Sequence, residues 1–158
     1  MMRKRQVGHE GQAVSPMEPQ WLDLERLAQV EITSEAAAHP IESALLPAAG
    51  TGWQAAEPGK QTIRLLFDTP ARLNRIRLVF EEAQRVRTQE FTLRWSADGG
   101  RAYQELVRQQ YNFSPPDSTR QVEDYTVHLD QVTSLELTIV PDISGGDARA
   151  SLTRMQIA

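Results

Sequence analysis

The sequence predicts an all-β fold, a sandwich or barrel of about eight mainly antiparallel strands. Three observations carry that expectation. Apolar residues alternate with polar ones in segment after segment. Turn-forming residues separate those segments, and a helical spacing of apolar residues is confined to one short stretch near the amino terminus. The composition agrees: 158 residues, 40% hydrophobic and 24% charged, fit one domain able to bury a sizeable core.

Residues 1–19 are polar, contain Gly and Pro and lack periodicity, which predicts a disordered tail ahead of a folded domain over 20–158. In Pro19–Glu35, Trp21, Leu24, Leu27 and Ala28 share a helical face, whereas "QVEITS" alternates like a strand. A short helical or irregular lead-in followed by a strand from about Ala28 to Ser34 satisfies both patterns. Further on, inward-facing sets follow in sequence. They are Ile63, Leu65 and Phe67; Ile76, Leu78 and Phe80; Phe91, Leu93 and Trp95; Tyr125, Val127 and Leu129; and Leu135, Leu137 and Ile139. One apolar and one polar face is what a half-buried antiparallel strand requires. "AYQELVRQQYNF" and "LTRMQIA" are weaker strands of the same kind.

The connections "DTPARL", "SADGGRAY" and "LDQVTS" are expected to be tight, with Asp98-Gly99 a hairpin signal. Those over 35–59, 81–89, 112–119 and 141–149 are longer. In an up-and-down arrangement the long connections gather at one end, and a rigid scaffold presents its binding residues on such loops.

Several function classes lack support. A net charge of −4 disfavours nucleic acid as the main partner, because affinity there rests on neutralising phosphates. The absence of cysteine excludes disulfides, thiolate metal sites and a cysteine nucleophile. No apolar run has the length of a signal peptide core or a membrane span, so the expected location is the cytoplasm. His9, His39 and His128 lie too far apart to form a zinc site on their own. "PDISGGD" suggests a calcium loop, but Thr153 stands where an EF-hand starting at Asp142 needs its glutamate. Gly59-Lys60 lacks the upstream glycine spacing of a phosphate loop, and Gln61 replaces its Ser or Thr. Adjacent carboxylates such as Glu81-Glu82 point to opposite faces of a strand. The expectation is a protein that is not an enzyme.

The order "VEITSE", "ALLPAAGTGWQA", "QTIRLLFDTPARLNRIRLVF", "EFTLRWSADGG", "LELTIVPDISGG" and "ASLTRMQIA" resembles the discoidin, or coagulation-factor type C, family over about Val30–Ala158. The resemblance implies a galactose-binding-like jelly-roll sandwich, a fold that includes many bacterial carbohydrate-binding modules. It also implies that Trp53 closes the sandwich beneath the first long loop instead of serving as a ligand platform. Of the family's calcium site, Thr51 and Trp53 remain. Leu46, Pro47 and Ala48 stand upstream and Arg154 replaces the expected glutamate, so no cofactor is implied. "GWQAAEPGKQTI" and "YNFSPPDSTRQVEDYTVHL" are also similar to the amino-terminal domain of the eukaryotic single-strand-break repair scaffold, which docks protein partners.

Together these readings predict a non-catalytic binding module. Carbohydrate recognition through one end of the sandwich comes first, and cytoplasmic protein–protein docking on the same fold is the alternative. The candidate ligand contacts are Tyr111, Asn112 and Phe113 beside Pro115-Pro116, His39 in the first long loop, and Arg85 and Arg87 in the second. An aromatic face suits the apolar side of a sugar ring, and planar polar groups suit its hydroxyls. Tyr111 and Phe113 as core, His39 as an exposed loop residue and the arginines as solvated surface remain open alternatives.

Overall fold

A computed structural model describes residues 20–47 and 50–158. The predicted tail therefore lies outside the described residues. In chain order the elements are α1 (Leu24–Leu27), β1 (Ala28–Ile32), α2 (Glu42–Leu45), β2 (Trp53–Pro58), β3 (Gln61–Glu81), β4 (Arg87–Ser96), β5 (Gln104–Phe113), β6 (Arg120–Val140), β7 (Arg149–Leu152) and β8 (Arg154–Ile157). The lead-in and first strand follow the two overlapping sequence patterns. The short helix α2 was not foreseen.

All strand pairs are antiparallel. The largest sheet runs β1-β3-β6-β4-β5, with β8 joined to β3, and β2 pairs with β7. Register shows how this becomes a sandwich. The first part of β3 pairs with β1 and with the last part of β6, from Gln61↔Ile139 to Leu66↔Ser134. The second part pairs with β8 and with the first part of β6, from Arg75↔Thr126 to Glu81↔Arg120. Between them the register slips at Leu66/Ala71, Ala71/Leu73 and Leu73/Arg75. Bulges of this kind bend a strand pair, here sending it from one layer into the other. "DTPARL" and "LDQVTS" are therefore not tight turns between strands. Each is the bend of one continuous 21-residue strand. Pro70, which has no N–H to donate, falls where ladder pairing lapses.

Ile63, Leu65, Phe91, Leu93, Leu135, Leu137 and Ile139 fill the core from the first layer, and Ile76, Leu78, Phe80, Met155 and Ile157 from the second. Phe80 stacks on Phe91 across the layers with centroids 5.4 Å apart. Trp95, Tyr125, Val127 and Leu129 are inward-facing but only half-buried, packed at the margin of that core.

Trp53 is 1% exposed and opens β2, within the stretch expected to be a long loop. Its indole N–H donates to the Ser34 carbonyl at 3.0 Å. It closes the core beneath the first long loop, the role that the family pattern implied. Gly52, just ahead of it, has φ +87°, and a Cβ there would lie 2.7 Å from the Leu152 carbonyl oxygen and 2.8 Å from the Thr153 Cα. Only glycine tolerates both the left-handed backbone and this approach. Gly52→Ala is expected to destabilise the protein by at least about 1–3 kcal/mol, the usual cost of a strained backbone site. An unchanged midpoint in thermal denaturation would contradict the close approach.

Candidate functional site

The bend gives the sandwich two different ends. At one lie the β4–β5 turn and the bends of β3 and β6. They are tied by Gly99 N–H to the Thr133 hydroxyl at 2.9 Å and by Tyr103 to Ser134, also at 2.9 Å. At the other lie the described residues between β1 and β2 (33–47 and 50–52) and the connections 82–86, 114–119 and 141–148, and backbone hydrogen bonds tie the last three to one another or to neighbouring strand ends. Glu82 N–H donates to the Thr119 carbonyl, Ile143 N–H to Thr88, and Gly59 N–H to Ala148. The long connections gather at one end, as the strand pattern predicted.

A buried ion pair organises this end. Arg87, the first residue of β4, is 4% exposed. Its Nε donates to Glu82 Oε1 at 2.7 Å and its Nη1 to the Pro141 carbonyl at 2.7 Å. The guanidinium lies 4.8 Å from the Phe113 ring centroid, a cation–π contact. Glu82 in turn accepts the backbone N–H groups of Gln84 and Arg85 at 3.0 and 3.1 Å. Burial pushes the Glu82 carboxyl up, but the Arg87 hydrogen bond and the two N–H groups outweigh it, holding the carboxyl below the usual glutamate range. Behind the pair a polar chain runs inward. Arg87 donates to Gln89, Gln89 donates to Gln121 at 3.0 Å, and Gln121 donates to Glu123 at 2.8 Å.

Above this centre lies a concavity of about 350 Å³. His39, Thr51 and Gln54 form one wall, Glu81–Gln84 the second, and Arg149, Ser151 and Thr153 the third, with Trp53 and Leu152 contributing to the floor. The His39 ring sits 3.1 Å from the Thr51 hydroxyl. The backbone of His39 is fixed on both sides, donating to Ala36 and accepting from Gln54. The Thr153 hydroxyl donates to Glu81 at 3.2 Å, and Arg120 lies 3.8 Å from the same carboxylate. The side chains of Gln54, Gln84, Arg149 and Ser151 have no hydrogen-bond or ion-pair partner among the described residues. An amide can donate and accept, a guanidinium only donates, and a hydroxyl does either, so the wall can meet a ligand rich in hydroxyls. No three metal-ligating side chains converge among the described residues.

The six sequence candidates divide. His39 lines the concavity. Arg85 stands on the rim loop, its guanidinium engaged by Asp147. Tyr111 is half-buried, packs edge-on against Phe113 at 5.0 Å and donates to the Arg120 carbonyl at 3.0 Å, and it lies outside the lining of the concavity. Asn112 is exposed and accepts the Thr88 hydroxyl at 2.7 Å. Phe113 is fully buried and Arg87 nearly so; both belong to the interior of the loop end and offer no surface to a ligand. Gln54, Gln84, Arg149, Ser151 and Thr153 were not proposed as ligand contacts from the sequence, and Glu81 and Glu82, set aside there as pointing to opposite faces, both line the concavity because Glu82 lies beyond the end of β3. Alternation held the signal for three of them: with Trp53 inward Gln54 must face out, and with Ala150 and Leu152 inward Arg149 and Ser151 must do the same.

No family model matches this chain, and no curated protein matches it. Solved structures do. The family 32 carbohydrate-binding module (CBM) from Clostridium perfringens NanJ, in complex with galactose, is similar with a TM-score of 0.65 at 12% identity. The alignment covers 87% of this chain and 96% of that one. The family 32 module of AlyQ, in complex with 4,5-unsaturated mannuronic acid, gives 0.62 at 16% identity over 89% and 98% of the two chains. A Clostridium perfringens family 32 module in complex with GalNAc-β-1,3-galactose gives 0.64 at 15% identity over 87% and 99%. The fold is thus the galactose-binding-like β-sandwich that these modules share.

The buried pair generates a stability prediction. Arg87→Met leaves Glu82 Oε1 and the Pro141 carbonyl without the Arg87 donors, and removal of one partner from a buried pair costs about 3–5 kcal/mol. Glu82, with its pKa lowered on folding, contributes stability above about pH 4.3, the ordinary glutamate value. That contribution fades as pH falls through the lower folded value. Urea unfolding should therefore separate wild type from Glu82→Gln at pH 7 and bring them together in acid. A gap that stays constant would refute the assignment.

Proposed function

We propose that this chain is a non-catalytic carbohydrate-binding module that holds a saccharide at the long-loop end of its sandwich. The observation that carries the proposal is the concavity with four uncommitted polar side chains, Gln54, Gln84, Arg149 and Ser151, over a floor fixed by backbone contacts. Its volume lies at the lower end of the range for small-ligand sites, about 300–1,000 Å³. Planar amide and guanidinium groups can bridge adjacent ring hydroxyls, and His39 and Thr51 add a pre-oriented pair on the facing wall. Because the backbone of the walls is already fixed, the ordering that binding requires is confined to side chains. The sugar complexes of similarly folded modules support the reading.

Docking of a protein partner is the second reading, and one observation favours it. Among the described residues the concavity presents no exposed Trp, Tyr or Phe ring, since Trp53 is buried and Tyr111 lies outside its lining.

Calorimetric titration with a panel of galactosides, N-acetylgalactosamine and uronic acids checks the first reading. Gln54→Ala and Gln84→Ala should each weaken binding by roughly threefold to tenfold, the value of one or two neutral hydrogen bonds. Asn112→Ala, on the outer sheet face, should leave it unchanged. Silence across the panel would favour the protein partner.

A further inference from the structure

We infer that the preferred saccharide is acidic, and that Arg149 grips its carboxylate; the inference rests on the carbohydrate reading above. Charge accounting around the concavity carries it. The protein as a whole has a formal net charge of −4, yet its loop-end site is not acidic in effect. Glu82 is matched by the buried Arg87 and by two backbone N–H groups. Glu81 faces Arg120 and accepts from Thr153. At the rim, Arg85 is matched by Asp147. Arg149 is the charged side chain left over: it lines the concavity, is exposed, and its guanidinium has no ion-pair or hydrogen-bond partner among the described residues. Its position is fixed by the backbone, with β7 paired to β2 on one side and Gly59 donating to the Ala148 carbonyl.

A neutral hexose can offer that cation two adjacent hydroxyls but no countercharge. A carboxylate presents two oxygens in a plane and matches the guanidinium fork bidentately. Gln54 and Ser151 lie on the same two paired strands as Arg149, at Gln54↔Ser151 in the β2–β7 register. They are placed to take ring hydroxyls beside a carboxylate held by Arg149. The chemical class is therefore a hexuronate residue, free or at the end of a uronate-containing oligosaccharide.

Matched sugar pairs test this on the full chain: galactose against galacturonate, and mannose against mannuronate, titrated calorimetrically at low salt. The uronate of at least one pair should bind on the order of tenfold tighter than its neutral partner, the usual scale of a charged hydrogen-bonded contact. Raising ionic strength to about 0.15 M should narrow that ratio, because Arg149 is exposed to screening. Arg149→Gln should weaken the uronate far more than the neutral sugar and so bring the pair to parity, and Arg149→Lys should keep part of the preference. An unchanged melting temperature excludes a folding effect. Equal affinities within both pairs, or a preference that survives in Arg149→Gln, overturn the inference and leave the carbohydrate reading standing. Absence of binding by all four sugars overturns both.

Discussion

β3 and β6 remain paired from Gln61↔Ile139 at one extreme to Glu81↔Arg120 at the other, and everything else is hung on that pair. Because the two strands bend together, one ladder supplies the centre of the first layer and the backbone of the second. β1 and β4 then add to its first arm and β8 to its second. The bend also returns both ends of the pair to the same end of the molecule. That is why the connections 82–86, 114–119 and 141–148 meet there, although they are remote in sequence. The concavity is a consequence of a strand pair folded on itself.

Burying an arginine is costly unless its donors are met, and Arg87 meets them from three directions: a carboxylate, a main-chain carbonyl and the face of Phe113. Glu82 belongs to the connection after β3 and Pro141 to the one after β6. Arg87 therefore fixes the spacing of two loops. The polar chain through Gln89 and Gln121 continues that order into the interior without leaving an amide unpaired. The outer face of the main sheet uses the same chemistry. Glu136, 2% exposed, accepts from Arg64 at 2.7 Å and from Arg94 at 2.8 Å, while Arg94 also covers Tyr103.

Where residues alternated, the sequence was a sound guide to strand and facing: each apolar set it proposed is on the inner side, from Ile63 to Ile139. What alternation does not encode is continuity. Asp68-Thr69-Pro70 has the residues of a turn, and only the register slips show that the chain passes through it as a bent strand. The end that carries the candidate concavity was legible in the sequence, as was His39 in its lining, but most of the lining was not. Aromatic and arginine residues drew attention to Phe113 and Arg87, and both are consumed by the interior because a cation–π contact and a buried ion pair need long-range partners. The quieter residues Gln54, Arg149 and Ser151 face the concavity because their neighbours are core, a fact that becomes visible once β2 and β7 are paired.

The ring closed by Glu82 and Arg87 also separates two kinds of position that lie side by side. Its two ends determine the backbone path, and Gln84 and Arg85 take part through their N–H groups, which every residue but proline possesses. Ala83, Gln84, Arg85 and Val86 are exposed, Val86 at 76%. To the fold, though not to a ligand, their side chains are inserts in a fixed frame. The rim of this end can thus be rewritten, by drift or by a designed library, while the core continues to see the same loop.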